Sequence, residues 1–180
     1  MKISVASFLA LASTGLAKAN ADPAPPPLTF LLTANVTATE PIDVGSVAGG
    51  TRIVYPIVGG TFEGPLLNGT LADVGADFSL VATNGAFGPD GISLFQTSDG
   101  ANILFRDKGH QLGDYVYGSG SFETGSEKYA WLNTVVPVTR AKVSTGDDGA
   151  AVSLEIFLVI QFLEYCDISQ SVLIEYRWAM

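Results

Sequence analysis

Arg52 is the charged residue whose position most clearly suggests chemistry, because it lies inside a predicted strand, Thr51–Ile57. A cation within a strand either reaches outward into solvent or points inward and pairs with a carboxylate. Asp77, which opens a later predicted strand, is the expected partner. Two interpretations follow: a structural ion pair that closes one end of the fold, or an arginine that stabilises negative charge developing on a ligand oxygen.

Tyr129, Trp131 and Asn133 alternate along another predicted strand, Lys128–Val138, so we expect their side chains to share one face. Such a row combines flat apolar surfaces with hydrogen-bonding groups, which suits a small aromatic organic ligand. In this interpretation Tyr129 and Asn133 orient polar groups of the ligand, and Trp131 stacks against it. Packing in the core of the fold is an equally weighted alternative.

A second aromatic group is predicted from Tyr115 and Tyr117, which lie two residues apart and therefore share a face of their strand. Phe95 is expected to join them from a neighbouring strand. We assign these three side chains to the same ligand-binding surface.

The standard catalytic and metal-binding motifs do not occur in the sequence. His110 is the only histidine and Cys166 the only cysteine, so a hydrolytic triad or a zinc site lacks residues. No glycine-rich phosphate-binding motif follows a strand, so no nucleotide cofactor is expected. Asp99 and the pair Asp147–Asp148 are candidates for calcium, although acidic residues on glycine-rich turns are usually solvated. We expect no cofactor and no metal, and His110 is expected at the surface, with general base as the alternative role.

The elements that must position these residues read as short β-strands. Runs rich in Val, Ile, Thr, Leu and Phe recur about every ten residues, separated by Gly, Asp or Asn. This pattern predicts an all-β fold, a single closed antiparallel β-barrel of about eight to nine strands, with a two-sheet sandwich as the alternative. The predicted strands are Leu28–Thr37, Thr51–Ile57, Pro65–Leu71, Asp77–Thr83, Gly91–Thr97, Asn102–Arg106, Asp114–Gly118, Lys128–Val138 and Ala151–Val159.

Glycines mark the predicted turns. We expect the stretch Thr51–Leu71 to be a hairpin that bends at Gly59, Gly60 and Gly64. The segment Glu40–Gly50 reads as a turn-rich connection. Ser98–Gly100 predicts a tight hairpin turn, because Asp-Gly readily adopts positive φ angles.

The N-terminus predicts export. Residues 1–21 combine Lys2, an apolar run and a small-residue site, the pattern of a secretory signal peptide, and they are too short in apolar length for a transmembrane span. Residues 22–27 read as a proline-rich linker, residues 28–159 as the barrel domain, and residues 160–180 as a tail of unknown fold. The sequons at Asn35 and Asn68 fit a secreted glycoprotein.

Composition narrows the class of partner. Eighteen acidic residues against nine basic ones give a net charge of −9, which disfavours binding to nucleic acid or to an anionic membrane surface. A single cysteine allows no internal disulfide, so the core has to hold the domain. We also predict that the protein forms a homodimer, because self-association would add stability.

A series of short motifs, most of them containing glycine, follows in order along the chain. They are Val44-Gly45, Gly49-Gly50-Thr51-Arg52, Pro56-Ile57, Gly59-Gly60-Thr61-Phe62, Gly64-Pro65, Gly69-Thr70, Gly75-Ala76-Asp77, Asp99-Gly100 and Tyr129-Ala130-Trp131-Leu132-Asn133. This series resembles the family called domain of unknown function 3237 (DUF3237) over about residues 28 to 159. The chain departs from the family at Ile92–Thr97, which lacks the family's Arg-x-Tyr-like pattern, and beyond Val159.

The resemblance implies a lipocalin-like β-barrel. Secreted fungal relatives are similar to proteins of secondary-metabolite pathways that guide cyclisation, including hetero-Diels–Alder joining of a polyketide-derived tropolone to a terpene. We therefore expect a cofactor-free cyclase whose interior holds a small, largely apolar or aromatic molecule and acts through orientation. A non-catalytic secreted carrier or effector with the same pocket is the alternative.

Overall fold

The computed structural model describes residues 24–146 and 149–159. Most of this part of the chain is β-strand, with one short 3₁₀ helix at Glu127–Thr134. The strands are β1 Thr29–Ala38, β2 Ile42–Val47, β3 Gly50–Glu63, β4 Asn68–Ala82, β5 Phe87–Gly88, β6 Asp90–Thr97, β7 Asn102–Leu112, β8 Tyr115–Glu123, β9 Pro137–Gly146 and β10 Gly149–Leu158.

Eight of these strands form a closed antiparallel barrel. They follow the order β3-β1-β10-β9-β8-β7-β6-β4, and pairing of β3 with β4 completes the ring. The short strands β2 and β5 extend one end of the barrel, because β2 pairs with the first half of β3 and β5 pairs with the last residues of β4. The predicted closed barrel is confirmed, and closure excludes the sandwich.

The central hairpin exists, but only one of the three glycines predicted at its bend, Gly64, lies there. β3 runs through Gly59 and Gly60 to Glu63, and the chain reverses only over residues 64–67. The two glycines instead mark an irregularity in the β3–β4 register between Pro56 and Gly60. At Gly60, where φ is +146°, a Cβ atom would lie 2.1 Å from the carbonyl oxygen of Asn35 on β1. Glycine is needed there because a neighbouring strand approaches too closely for a side chain.

Two further predicted elements are wrong. The connection Glu40–Gly50 contains a strand, β2. Its glycines, Gly45 and Gly49, had suggested turns and not a strand. The predicted strand Lys128–Val138 is mostly the 3₁₀ helix, in which Tyr129 and Leu132 are buried three residues apart. That spacing places both side chains on one side of a 3₁₀ helix, whereas on a strand they would face opposite sides.

One half of the barrel is filled by large apolar side chains. Phe95 is fully buried, and its ring stacks on Phe62 at 4.9 Å and contacts Phe105 at 5.7 Å between ring centroids. Phe105 in turn packs on Phe122 at 4.6 Å. The filled half consists of these rings together with Leu31, Leu32, Leu67, Leu71, Ile103, Tyr129, Leu132, Ile156 and Leu158.

The 3₁₀ helix is attached to this half by the carboxylate of Asp99 in the β6–β7 turn. Asp99 accepts hydrogen bonds from Thr97 at 2.5 Å, from Lys128 Nζ at 2.5 Å and from the Tyr129 hydroxyl at 3.1 Å. The predicted tight turn at Ser98–Gly100 is confirmed, with Gly100 at φ +92°. Asp99 is therefore an anchor for the helix.

Several predictions concern residues outside the described ones: the signal peptide, the tail, Cys166 and the pair Asp147–Asp148. Within residues 24–146 and 149–159, no group of three or more His, Cys, Asp or Glu side chains is arranged to hold a metal ion. The same residues contain no helix long and apolar enough to cross a membrane.

Candidate active site

The half of the barrel away from the 3₁₀ helix contains a cavity of about 120 Å³ that is partly open to solvent. An enclosed apolar cavity of roughly 150 Å³ holds one benzene ring, so this space is suited to one ring of a ligand that extends through the opening. Most of its wall is apolar, formed by Val36, Ala38, Ile57, Phe87, Pro89, Ile92, Val116, Ala141, Val143, Ala150, Val152 and Leu154.

The opposite wall is acidic, and its residues are cross-strand neighbours. Tyr55 on β3 pairs with Asp77 on β4, and Asp77 pairs with Gly91 on β6. Gly91 pairs with Asp107 on β7. All four residues line the cavity. Because residues in register lie at the same height on a sheet, the two carboxyl groups flank Gly91 at one level of the interior.

Gly91 leaves room for the Asp107 carboxyl. A Cβ atom at Gly91 would lie 2.6 Å from Asp107 Oδ1, so this oxygen occupies the space above the glycine. Gly91 does not have a positive φ angle, and its backbone would accept any residue. A side chain at this position would therefore displace the neighbouring carboxyl group, whereas the backbone conformation does not call for glycine.

Asp77 is a fixed hydrogen-bond acceptor. Its Oδ1 accepts from the Ser79 hydroxyl at 2.9 Å and from the backbone N–H of Asp90 at 2.9 Å. Burial raises the pKa of Asp77 above its ordinary 3.8, the two hydrogen bonds lower it, and the charge of Asp90 raises it. The more distant positive charge of Arg52 has the smallest effect and lowers it.

Asp107 differs from Asp77, because its carboxyl has no hydrogen-bond partner among the described residues. The residue is partly buried and lines the cavity. Burial raises the pKa of Asp107 from 3.8 to about 7, with further contributions from the negative charges of Asp77 and Asp90. The carboxyl thus exchanges its proton near neutral pH, which is the property of a general acid or base.

Of the predicted catalytic residues, Asp77 alone lines the cavity. Arg52 lies on the opposite face of β3 from Tyr55, and its guanidinium donates a hydrogen bond to the carbonyl of Phe78. Among the described residues no ion pair joins Arg52 to Asp77, so the predicted structural ion pair is wrong. The reason is strand alternation, which places Arg52 and Asp77 on opposite sides of the sheet.

Tyr129, Trp131 and Asn133 belong to the 3₁₀ helix and do not line the cavity. Tyr129 is buried and bonds Asp99, while Trp131 packs against the filled half. The side chain of Asn133 accepts from the backbone N–H of Thr124 at 2.8 Å and donates to its carbonyl at 2.9 Å. The predicted common strand face of these three residues is wrong, and these contacts hold the helix against β8.

Of the second aromatic group, Tyr115 and Tyr117 share a face as predicted, with ring centroids 6.2 Å apart, but neither lines the cavity and Phe95 does not join them. Tyr115 and Tyr117 are 37% and 46% exposed on the outer face of β8, where Arg140 lies 5.3 Å from the Tyr115 ring. Phe95 is enclosed in the filled half. His110 is exposed on β7, as predicted, and does not line the cavity. The asparagines of both sequons, Asn35 and Asn68, are exposed as glycan attachment requires, and their use stays a prediction.

Asp107 is the residue that the sequence analysis missed. The predicted strand Asn102–Arg106 stops one residue before it, whereas β7 continues to Leu112. Extending the alternation of the buried Ile103 and Phe105 by one step places Asp107 on the inner face. An acid at an inward position of an apolar strand was the available signal.

Comparison with known proteins identifies relatives. The model of the family described as "Protein of unknown function (DUF3237)" matches residues 26–118. A hydroalkoxylation enzyme, phnH, from Penicillium herquei is 33% identical over 128 residues, which cover 71% of this chain and 83% of that protein. A UPF0311 protein from Bradyrhizobium diazoefficiens is 29% identical over 130 residues, 62% of this chain and 84% of that protein.

Solved structures show the same barrel. The crystal structure of an enzyme from Penicillium herquei superposes with a TM-score of 0.58 at 31% identity, covering 74% of this chain and 96% of that one. A β-barrel-like protein from Acinetobacter baumannii gives a TM-score of 0.61 at 28% identity, over 74% of this chain and 98% of that one. The chain is thus similar along nearly the full length of both structures.

Proposed function

Because this chain belongs to the DUF3237 family, we propose that it is a cofactor-free cyclase that adds a hydroxyl group across a carbon–carbon double bond of a small, largely apolar molecule. One observation carries the proposal: two carboxyl groups flank Gly91 inside an apolar cavity, and they differ in their hydrogen bonds. The hydroalkoxylation enzyme of Penicillium herquei supports the reaction class.

The two carboxyl groups divide the proton transfers of such a ring closure. Asp107, in its acid form, gives a proton to one carbon of the double bond, and the hydroxyl oxygen of the substrate forms a bond to the other carbon. The hydroxyl proton passes to the carboxylate of Asp77, and its return to Asp107 restores the pair. One O–H bond and one π bond are replaced by one C–O and one C–H bond, so no oxidant or reductant is needed.

The apolar wall supplies orientation. A ring held against Val36, Val152 and Leu154 presents its polar edge to the acidic wall, and it shields the double bond from solvent, which favours intramolecular attack. Positive charge that develops on carbon would face Asp77, whose acceptor oxygen is fixed by Ser79 and by Asp90 N–H. Orientation and charge stabilisation therefore act from opposite walls.

The hetero-Diels–Alder subtype, secretion and a place in fungal secondary metabolism stay predictions. A concerted cycloaddition does not require a proton donor, so the carboxyl pair favours hydroalkoxylation over that subtype. A non-catalytic carrier remains the competing class, since the same cavity could hold a ligand without converting it.

The proposal is tested with ortho-alkenylphenols, which contain the hydroxyl group and the double bond in one molecule. We expect the purified protein to form the cyclic ether faster than buffer does and with an excess of one enantiomer. The rate should fall as the pH rises through about 7, because Asp107 loses its proton. D107N should lower the rate by about 100-fold or more.

Asp73 offers a matched control, because it is an exposed aspartate on the same sheet and does not line the cavity. D73N should keep the rate and the enantiomeric excess of the wild-type protein. Binding of the phenols without any gain in rate or any enantiomeric excess would contradict the cyclase and support the carrier.

A further inference from the structure

The two carboxyl groups that line the cavity have no cation beside them. Asp77 and Asp107 both line it, whereas no lysine, arginine or histidine does so among the described residues. Arg52 acts on Asp77 only weakly and from outside the cavity, and Asp90 is paired with Lys108 at 2.8 Å, so neither lining carboxyl group has an ion-pair partner among the described residues. A ligand that carries a positive charge would supply the missing partner.

The acceptors are arranged for a compact donor group. Asp77 has one oxygen occupied by two hydrogen bonds, and Asp107 has both oxygens free of protein partners among the described residues. Hydroxyl groups of Ser93 and Thr139 also line the cavity. An ammonium group has three N–H donors and can therefore donate to three such oxygens at once. A hydroxyl group has one donor and can donate to only one of them.

We infer that this cavity binds protonated arylalkylamines, with the ammonium group between Asp77 and Asp107 and the aromatic ring against Val152 and Leu154. The cavity volume of about 120 Å³ fits one ring, which excludes large polycyclic cations from its interior. The net charge of −9 on the chain also attracts cations to the protein.

The inference rests on the proposed function for the position of the charge. Binding of the amine itself depends only on electrostatic attraction and does not require the protein to catalyse a reaction. In the proposed ring closure, positive charge develops on carbon in front of the same carboxylates. A protonated amine places a permanent charge at that position and would act as a competitive inhibitor. The amine would therefore be bound more tightly than a neutral molecule of the same shape.

The pH dependence follows from the groups around Asp107. Primary amines have a pKa of about 10, so they stay protonated across the neutral range. Raising the pH through about 7 removes the proton from Asp107 and adds a second negative charge. Tyr55 and Asp77 are the other titratable groups that line the cavity with Asp107. The remaining titratable or charged groups on these strands are Arg52 and Glu63 on β3, Asp73 on β4, Asp90 on β6, Arg106, Lys108 and His110 on β7, and Tyr115, Tyr117 and Glu123 on β8.

The test measures binding of phenethylamine, 2-phenylethanol and 3-phenylpropionate by calorimetry. These probes share the ring and differ in charge. At about pH 8 we expect the amine to bind about tenfold more tightly than the alcohol and the carboxylate to bind least. The preference for the amine should shrink at about pH 6, where Asp107 is protonated. Equal affinity for amine and alcohol, or tighter binding of the carboxylate, would overturn the inference.

Variants locate the site. D107N keeps the shape of the side chain and should remove most of the preference for the amine, whereas D73N should keep it. An amine preference that survives in D107N would place the cation elsewhere and overturn the inference. Amine binding without conversion of ortho-alkenylphenols would leave this inference standing while the cyclase fails, and conversion without amine binding would give the reverse result.

Discussion

The two halves of the barrel are built from the same strands but differ in the size of their inward side chains. Along β6 the inner face carries Phe95, then Ser93, then Gly91, so the side-chain volume falls toward the cavity. Along β7 it carries Phe105 and then Asp107. One end of the barrel is a packed core, and the other is left hollow with an acidic wall. A single sheet thus supplies stability at one end and a site at the other.

The aspartates of the two halves also differ in the direction of their pKa shifts. Asp99 in the filled half has its pKa lowered to about 2, chiefly by the hydrogen bonds from Lys128 and Thr97. Asp107 in the hollow half has its pKa raised to about 7, chiefly by burial without a partner. Partnered acids stabilise a fold, whereas an unpartnered buried acid costs stability and is expected at functional sites.

The first prediction tests whether the packing energy lies in the filled half. F95A removes a fully buried ring that contacts Phe62 and Phe105, and should lower the free energy of unfolding by about 3–5 kcal/mol. V152A shortens a side chain at the cavity wall and should cost less than about 1 kcal/mol. Urea denaturation measures both, and equal losses would mean that the two halves do not differ in packing.

The second prediction concerns the energetic cost of the hollow half. A raised carboxyl pKa makes the fold less stable as the pH rises from 3.8 to about 7, because the folded state binds more protons than the unfolded state in that window. D107N removes this cost, and it should stabilise the protein by at most about 4 kcal/mol near pH 8. Near pH 4 the two proteins should unfold alike. If D107N stabilised the protein equally at every pH, the raised pKa of the Asp107 carboxyl would not be the cause of the lost stability.

Much of the fold was predictable from the sequence, whereas the site was not. Alternating apolar runs specify strands wherever one face is buried, so the barrel and the turn at Ser98–Gly100 were predictable. Asp107 was missed because the apolar residues Ile103–Phe105 are followed by the charged Arg106, where the predicted strand was ended. The pairing of Asp77, Gly91 and Asp107 depends on the register of three strands, which no local pattern determines.

The aromatic predictions failed for a related physical reason. Tyr, Trp and Phe are favoured both in cores and at ligand sites, so residue type alone does not separate the two roles. Tyr129 and Trp131 lie on a 3₁₀ helix that is held by hydrogen bonds to other parts of the chain. The Tyr129 hydroxyl donates to Asp99, and the Asn133 side chain accepts from the backbone N–H of Thr124. Tertiary contacts decided the local structure.

The third prediction sharpens the role of the glycine between the acids. G91A places a methyl group on the Asp107 carboxyl and should lower the rate of ring closure by about tenfold. The stability should change by less than about 1 kcal/mol, because the flexible carboxyl can turn aside. G125A is the control, since a Cβ atom there meets nothing within 4 Å. An unchanged rate in G91A would remove Gly91 from the site.

The fourth prediction has the smallest effect and tests the anchor of the filled half. A lowered carboxyl pKa gives stability that is present above pH 3.8 and is lost as the pH falls toward about 2. D99N should therefore lower the Tm slightly at neutral pH, and the difference from wild type should vanish in acid. Calorimetric melts across this range measure it. A difference that widened in acid would contradict the assigned role of Asp99.

The most direct test of the account is a ¹³C NMR titration of the aspartate carboxyl groups. We predict one carboxyl signal that titrates near pH 7 and disappears from the spectrum of D107N. If every aspartate titrates below about 5, the hollow half holds no proton donor at neutral pH, and the proposed chemistry is contradicted.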